Sequence, residues 1–135
     1  MAYKCGSREQ ITLFPQSIDE YIGEDHPVRA YDTFVEVLNP YEIDLEIDPH
    51  KVGNSAYEPK AMLKLVVYGY SYGIKSSRKL ERAVHENVAF IWLMGGLKPD
   101  HKTIAEFRKN NKKALKLVLR QCARMCMKLG MVDGN

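Results

Sequence analysis

Seven cations recur at helical intervals through the last third of the chain: Lys102, Lys109, Lys113, Lys116, Arg120, Arg124 and Lys128. Placed on a helical wheel at about 100° per residue, they form one stripe. Ile104, Phe107, Leu115, Val118, Cys122, Met125 and Leu129 form the opposite one. Glu106 is the one acid among the cations, so almost no acidic partner stands four residues away to offset their mutual repulsion. The chemistry that relieves such a row is neutralisation by a polyanion.

Other groupings invite chemistry and carry less. Glu42, Asp44, Glu46 and Asp48 alternate with apolar residues and would share one face of a strand, where hard cations favour carboxylates. No distant acid or histidine motif answers them, and a solvated strand face is the simpler reading. Cys122 and Cys126 stand four apart in a helical pattern, with no CxxC spacing and no histidine pair nearby. They read as small core residues of a reducing compartment rather than zinc ligands. The histidines, His26, His50, His85 and His101, are scattered. Without a phosphate-cradling glycine loop, a GxSxG or an HExxH, the sequence offers no active site of its own and no cofactor site.

Stepping out to the whole chain, 135 residues make about one domain, and 45% hydrophobic residues suit a globular protein. Three cysteines fit no disulfide framework. The first ten residues lack a signal-peptide core and read as a flexible tail, with residues 11–135 as a single helical domain. No apolar run approaches the roughly 20 residues of a membrane span, so the expectation is a cytoplasmic protein without membrane contact. The net charge of +3 conceals a gradient. Residues 1–57 hold 4 basic and 11 acidic side chains, residues 58–97 hold 6 and 3, and residues 98–135 hold 10 and 3. Either a polyanion meets the basic part, or the two halves neutralise each other within the fold.

The elements that would position the cations follow from periodicity and caps. Ile11–Phe14 could be a short extended segment. Ser17 and Glu20 have capping-box spacing at a short helix. Pro27 opens a helix whose apolar face is Val28, Tyr31, Phe34, Val35 and Leu38, stopped at Asn39-Pro40. Glu42–Asp48 is the one possible β segment. Pro59 starts a central helix apolar around nearly its whole circumference, with Lys60 and Lys64 as its wet edge. Gly69 and Gly73 would admit a neighbouring helix, while Tyr68, Tyr70 and Tyr72 could stack on bases but at helical spacing read more simply as core or rim. Ser76 or Ser77 caps the next helix, with Leu80, Ala83 and Val84 inward and Arg78, Lys79 and Arg82 outward. Asn87 caps a short helix ending at Gly95-Gly96 and carrying Trp92 as a core anchor. Asp100 caps a final helix that meets no glycine or proline until Gly130, about 45 Å at 1.5 Å per residue.

The fold class is therefore all-α: a compact multi-helix bundle with a long basic C-terminal helix and a trihelical part resembling a helix–turn–helix. In that motif the start of the last helix enters the major groove. His101, Lys102, Thr103 and Glu106 would then lie near base edges. Arg78, Lys79, Arg82, Lys98, Lys109, Lys113, Lys116 and Arg120 would serve phosphates.

The run from Tyr57 to Lys109, with LKLVVYGYSYGIKSSRKLE, NVAFIWLMGG and KPDHKTIAEFR as they stand here, resembles the N-terminal domain of bacterial insertion-sequence transposases of the DDE, ribonuclease H-like type. Upstream, SIDEYIGEDHPVRAYDTFV resembles the opening of the same domain. The resemblance implies a non-catalytic helical domain that binds double-stranded DNA at the terminal inverted repeats and pairs subunits as a homodimer. It further implies catalysis by acidic residues holding two divalent metal ions in a separate domain, whose first strand would follow the equivalent of LGMVDGN. That strand is expected to lie beyond Asn135, and Asp133 does not inherit the catalytic role. A dimerisation module, with the acidic first third of one copy against the basic helix of another, is the rival expectation.

Overall fold

The computed structural model describes residues 17–43, Leu45 and residues 57–128. The tail 1–10, the segment Ile11–Phe14, most of the alternating stretch 42–48, the Cys126 side chain, Leu129 and the turn holding Asp133 lie outside the described residues. Among the described residues there are six α-helices and no strand: α1 (Pro27–Glu36), α2 (Pro59–Ser71), α3 (Ser77–Glu86), α4 (Val88–Leu93), α5 (His101–Asn110) and α6 (Lys112–Lys128).

The central helix is α2, and it is central because its sequence is apolar on every side. Residues 61–69 are all buried, and α2 packs against each of the other five helices. Tyr68 joins Tyr31 of α1, Tyr72 and Phe90 of α4 in a ring cluster with centroids 4.7–5.2 Å apart. Burial in that cluster pushes the Tyr68 phenol well above its ordinary value.

Lys64 is not at a wet edge. It is 9% exposed, its ammonium 2.7 Å from Asp32 and 2.5 Å from Glu36 of α1. A lysine reaches the interior when its charge is matched there, and α1 supplies two carboxylates one helical turn apart. Lys60 donates to the Glu36 carbonyl at 2.8 Å, so both lysines fasten α2 to α1.

The two glycines of α2 do different work. A Cβ on Gly69 would sit 2.4 Å from Leu80 Cδ2, so α3 crosses α2 where no side chain intervenes. Nothing crowds Gly73; its φ of +78° ends the helix. Ile74 N–H reaches the Gly69 carbonyl at 2.8 Å and Gly73 N–H the Tyr70 carbonyl at 3.0 Å, a Schellman closure. The end of α4 repeats it: Gly95 and Gly96 have φ of +60° and +86°, and Gly96 N–H reaches the Ile91 carbonyl at 3.0 Å.

Near the chain start, Ile18–Tyr21 is a single 3-10 turn, and Ser17 makes no side-chain cap. Asp19 holds this segment instead. It accepts the indole N–H of Trp92 at 2.8 Å and pairs with Arg29 at 3.1 Å. Those bonds, Trp92 first and Arg29 next, keep its carboxyl below the usual carboxylate range. Trp92 is thus half-buried rather than a core anchor, with the Arg29 guanidinium 4.9 Å over its ring. Arg29 also donates to the carbonyls of Asp19, Ile22 and Gly23.

The described part of the proposed β segment is a turn. Leu45 N–H returns to the Pro40 carbonyl at 3.0 Å, and Ile43 and Leu45 are buried against the bundle. Among the described residues of this stretch, Ile43 and Leu45 are buried two apart without a strand.

Candidate nucleic-acid interface

The basic C-terminal segment is two helices, not one. Asn111 lies between α5 and α6 with φ −125° and ψ 34°, outside helical values. Its backbone N–H and its side-chain amide both donate to the Phe107 carbonyl, at 3.1 and 3.0 Å. Asparagine interrupts helices because its amide competes for backbone groups. The next helix restarts at once, Leu115 N–H bonding the Asn111 carbonyl at 2.9 Å. The expected apolar stripe survives the break: Ile104, Leu115, Val118 and Cys122 are buried, Phe107 and Met125 half-buried.

Each cation stripe is held outward by that buried face. Lys102 and Lys109 on α5, and Lys113, Lys116, Arg120, Arg124 and Lys128 on α6, are all exposed. Lys112 and Lys113 stand in the first turn of α6, which contains no acid, so two ammonium groups crowd the positive helix end. That placement costs energy until an anion approaches.

The trihelical unit is α3, α4 and α5. Ser76 caps α3 by accepting the Lys79 N–H at 3.4 Å, and the Asn87 side chain caps α4 by accepting the N–H groups of Ala89 and Phe90. Asp100 caps α5 through the Thr103 N–H at 2.9 Å; the hydrogen bonds from Thr103 hold its carboxyl below the usual range. Two contacts fix α3 antiparallel to α5. At one end Glu81 accepts the His101 N–H at 3.1 Å, its carboxylate 3.5 Å from His101 Nδ1. At the other, Arg108 donates to the Lys75 carbonyl and to Ser77 Oγ.

This packing sorts the candidate residues. Arg78, Lys79, Arg82, Lys98 and Lys102 are exposed, and the α3–α5 contacts set Arg78 and Lys79 near the Lys109 end of α5 and Arg82 near Lys102. Lys79 and Arg82 line an open cleft of about 350 Å³ with Ala83, Glu86 and Asn87. Thr103 is half-exposed. His101 is also half-exposed but turned towards Glu81, its Nδ1 buried without a hydrogen-bond partner among the described residues.

Among the described residues, no acid of the first third pairs with the row. Asp32 and Glu36 are committed to Lys64, and Asp19 to Arg29. Among the described residues, Arg78, Lys79, Arg82, Lys98, Lys109, Lys113, Lys116, Arg120, Arg124 and Lys128 make no ion pair or hydrogen bond through their side chains. Arg29, Lys60, Lys64 and Arg108 are, among the described residues, cations spent on ion pairs or hydrogen bonds within the fold. Arg108 was not singled out in the sequence, where it is one more cation in a basic stretch; Glu81 likewise carried no signal.

Among the described residues no group of three or more His, Cys, Asp or Glu is placed to hold a metal ion, and no helix is long and apolar enough to cross a membrane. Comparison with curated proteins and with solved structures gives no match. Residues 16–110 match the family model described as transposase domain (DUF772). That span includes the motifs between Ser17 and Arg108 on which the resemblance rested, and it covers well over half of the 135 residues. The chain belongs to the transposase domain (DUF772) family, a transposase-related domain of insertion sequences.

Proposed function

We propose that this domain binds the end DNA of its transposon as a duplex, through the outward cations of α5 and α6 and the Arg78–Arg82 corner, and does no chemistry itself. The observation that carries the reading is the unneutralised row: ten exposed cations lack an ionic partner among the described residues. Lys109, Lys113, Lys116 and Arg120 serve phosphates, as do Arg78, Lys79, Arg82 and Lys98. The start of α5, with Lys102, Thr103 and His101, is the part nearest base edges. The divalent metal of transposition belongs to the catalytic acids outside these residues.

The test is a gel-shift or anisotropy titration of terminal inverted-repeat DNA at several salt concentrations. Each lost phosphate contact makes the log–log salt slope about 0.9 less steep. Changing Lys109, Lys113 and Lys116 together to Glu should flatten the slope by about 3 and weaken binding by about 10²–10³-fold near 0.1 M salt. The thermal transition should be unchanged, because none of the three has a partner to lose among the described residues. Unaltered affinity and slope would remove the proposed surface.

A second reading, self-association, draws on Leu117 and Met127, exposed at 40% and 64% on α6. It predicts a dimer in sedimentation without DNA; pairing of the acidic first third of one copy with the basic helix of another would loosen it as salt rises, whereas contact through these apolar side chains would persist.

A further inference from the structure

From Pro59 to Leu80 the chain contains no acid, and within that stretch one aromatic ring is left over. Tyr68 is buried in the ring cluster, and Tyr72 lies 4.7 Å from it. Tyr70 is 49% exposed, has no aromatic neighbour, and its hydroxyl has no hydrogen bond among the described residues. The group over its ring is an exposed ammonium, Lys75 Nζ, 5.5 Å from the centroid.

The position of this pair is fixed. The Schellman closure at Gly73 sets the turn after α2, Ser76 caps α3, and Arg108 ties the Lys75 carbonyl and Ser77 to the end of α5. Tyr70 and Lys75 therefore stand where the Arg78 corner and the Lys109 end of the cation row converge.

A continuous duplex offers such a ring no base face to stack on, because its bases are stacked inside; only the hydroxyl would reach a phosphate. A ring beside cations is the arrangement that holds strands with unpaired bases: the base stacks on the aromatic face while the cations take the phosphates. We propose that Tyr70 is a stacking platform for an unpaired DNA base, with Lys75 transferring from the ring to an adjoining phosphate as the base arrives. This rests on the duplex-binding reading for the neighbouring surface, and adds a substrate class to it: duplex DNA bearing an unpaired stretch.

Three DNAs of one sequence test it: a blunt duplex, a forked duplex with a few unpaired nucleotides, and the single strand. Each carries 2-aminopurine at the fork position. The forked DNA should bind about tenfold more tightly than the blunt one, with 2-aminopurine fluorescence quenched on binding. Tyr70→Ala should abolish the excess and the quenching while leaving blunt-duplex affinity unchanged; Tyr70→Trp should restore both. Equal affinity for fork and blunt DNA, or an equal loss on both in Tyr70→Ala, would overturn the platform. If fork or single strand binds and blunt DNA does not, the platform stands and the duplex reading falls. If none binds, both fall.

Discussion

Gly69→Ala concentrates the packing of this domain into one methyl group. The added Cβ would meet Leu80 Cδ2 at 2.4 Å and the Ile74 carbonyl oxygen at 3.3 Å. Leu80 is 1% exposed, so its side chain has no solvent to swing into, and the Ile74 oxygen is backbone. Overpacking a filled site costs about 1–3 kcal/mol. Against this, replacing glycine inside a helix gains about 1 kcal/mol of propensity. The clash falls at the upper end of that range, about 2–3 kcal/mol, because a buried side chain and a backbone oxygen must both give way, so the net loss should be about 1–2 kcal/mol. For a domain of this size that corresponds to about 3–8 °C in Tm. Urea unfolding with linear extrapolation measures it, and Gly23→Ala, where nothing lies within 4 Å of the new Cβ, serves as the control. Leu80→Ala alone opens a cavity and should cost about 2–5 kcal/mol. Combined with Gly69→Ala the losses should be less than additive, since the small side chain vacates the space the new methyl needs. A Gly69→Ala protein as stable as the parent, or strictly additive losses in the double variant, would show that α3 does not cross α2 at this contact.

Lys64→Ala strips two carboxylates of their partner and leaves Asp32 facing Glu36 across one helical turn. A loss of about 1–3 kcal/mol is expected, below that of a fully buried pair because Asp32 and Glu36 are partly wet. Lys64→Met keeps the stem packing and should lose less, as read by the same urea titrations. Acid should weaken the fold through carboxyls whose native values are lowered: Glu36, chiefly by its hydrogen bond from Lys64, with Asp19 and Asp100. Groups lowered on folding stabilise in full above their unfolded values, about 4, and lose that contribution as pH falls through the native ones. Tm should therefore be level above about pH 5 and decline below about pH 4. At the alkaline end, Lys64 is raised above 10.5 and Tyr68 above 10.0 on folding. Their stabilisation is complete below those unfolded values and lost as pH climbs through the native ones, so Tm should hold to about pH 10 and then drop. Differential scanning calorimetry across buffers reads both limbs.

Much of this fold could be read from the chain because the signals were local. Pro27 and Pro59 open α1 and α2, Asn87 and Asp100 cap α4 and α5, and positive-φ glycines close α2 and α4. What escaped depends on distant partners. Lys64 looks like a surface lysine until α1 brings Asp32 and Glu36 to it, and Ser17 looks like a cap until Trp92 and Arg29 claim Asp19. Glu81 and Arg108 brace α3 against α5 by contacts 20 to 33 residues apart, which no spacing rule anticipates. The break at Asn111 was local and present in the sequence; the continuity of the apolar stripe across Asn110-Asn111 concealed it. For the candidate interface, the identity of the cations followed from periodicity. That the described acids of the first third leave them unpaired required the coordinates.

Asn111 also governs how the two basic arms are joined. It is buried at 4% exposure, and its backbone N–H and its side-chain amide close on one carbonyl. The joint is filled rather than empty, so it acts as a welded elbow and not as a hinge. For the duplex of the proposed function the angle would already be set, and the entropy of aligning two independent helices spent during folding rather than at encounter.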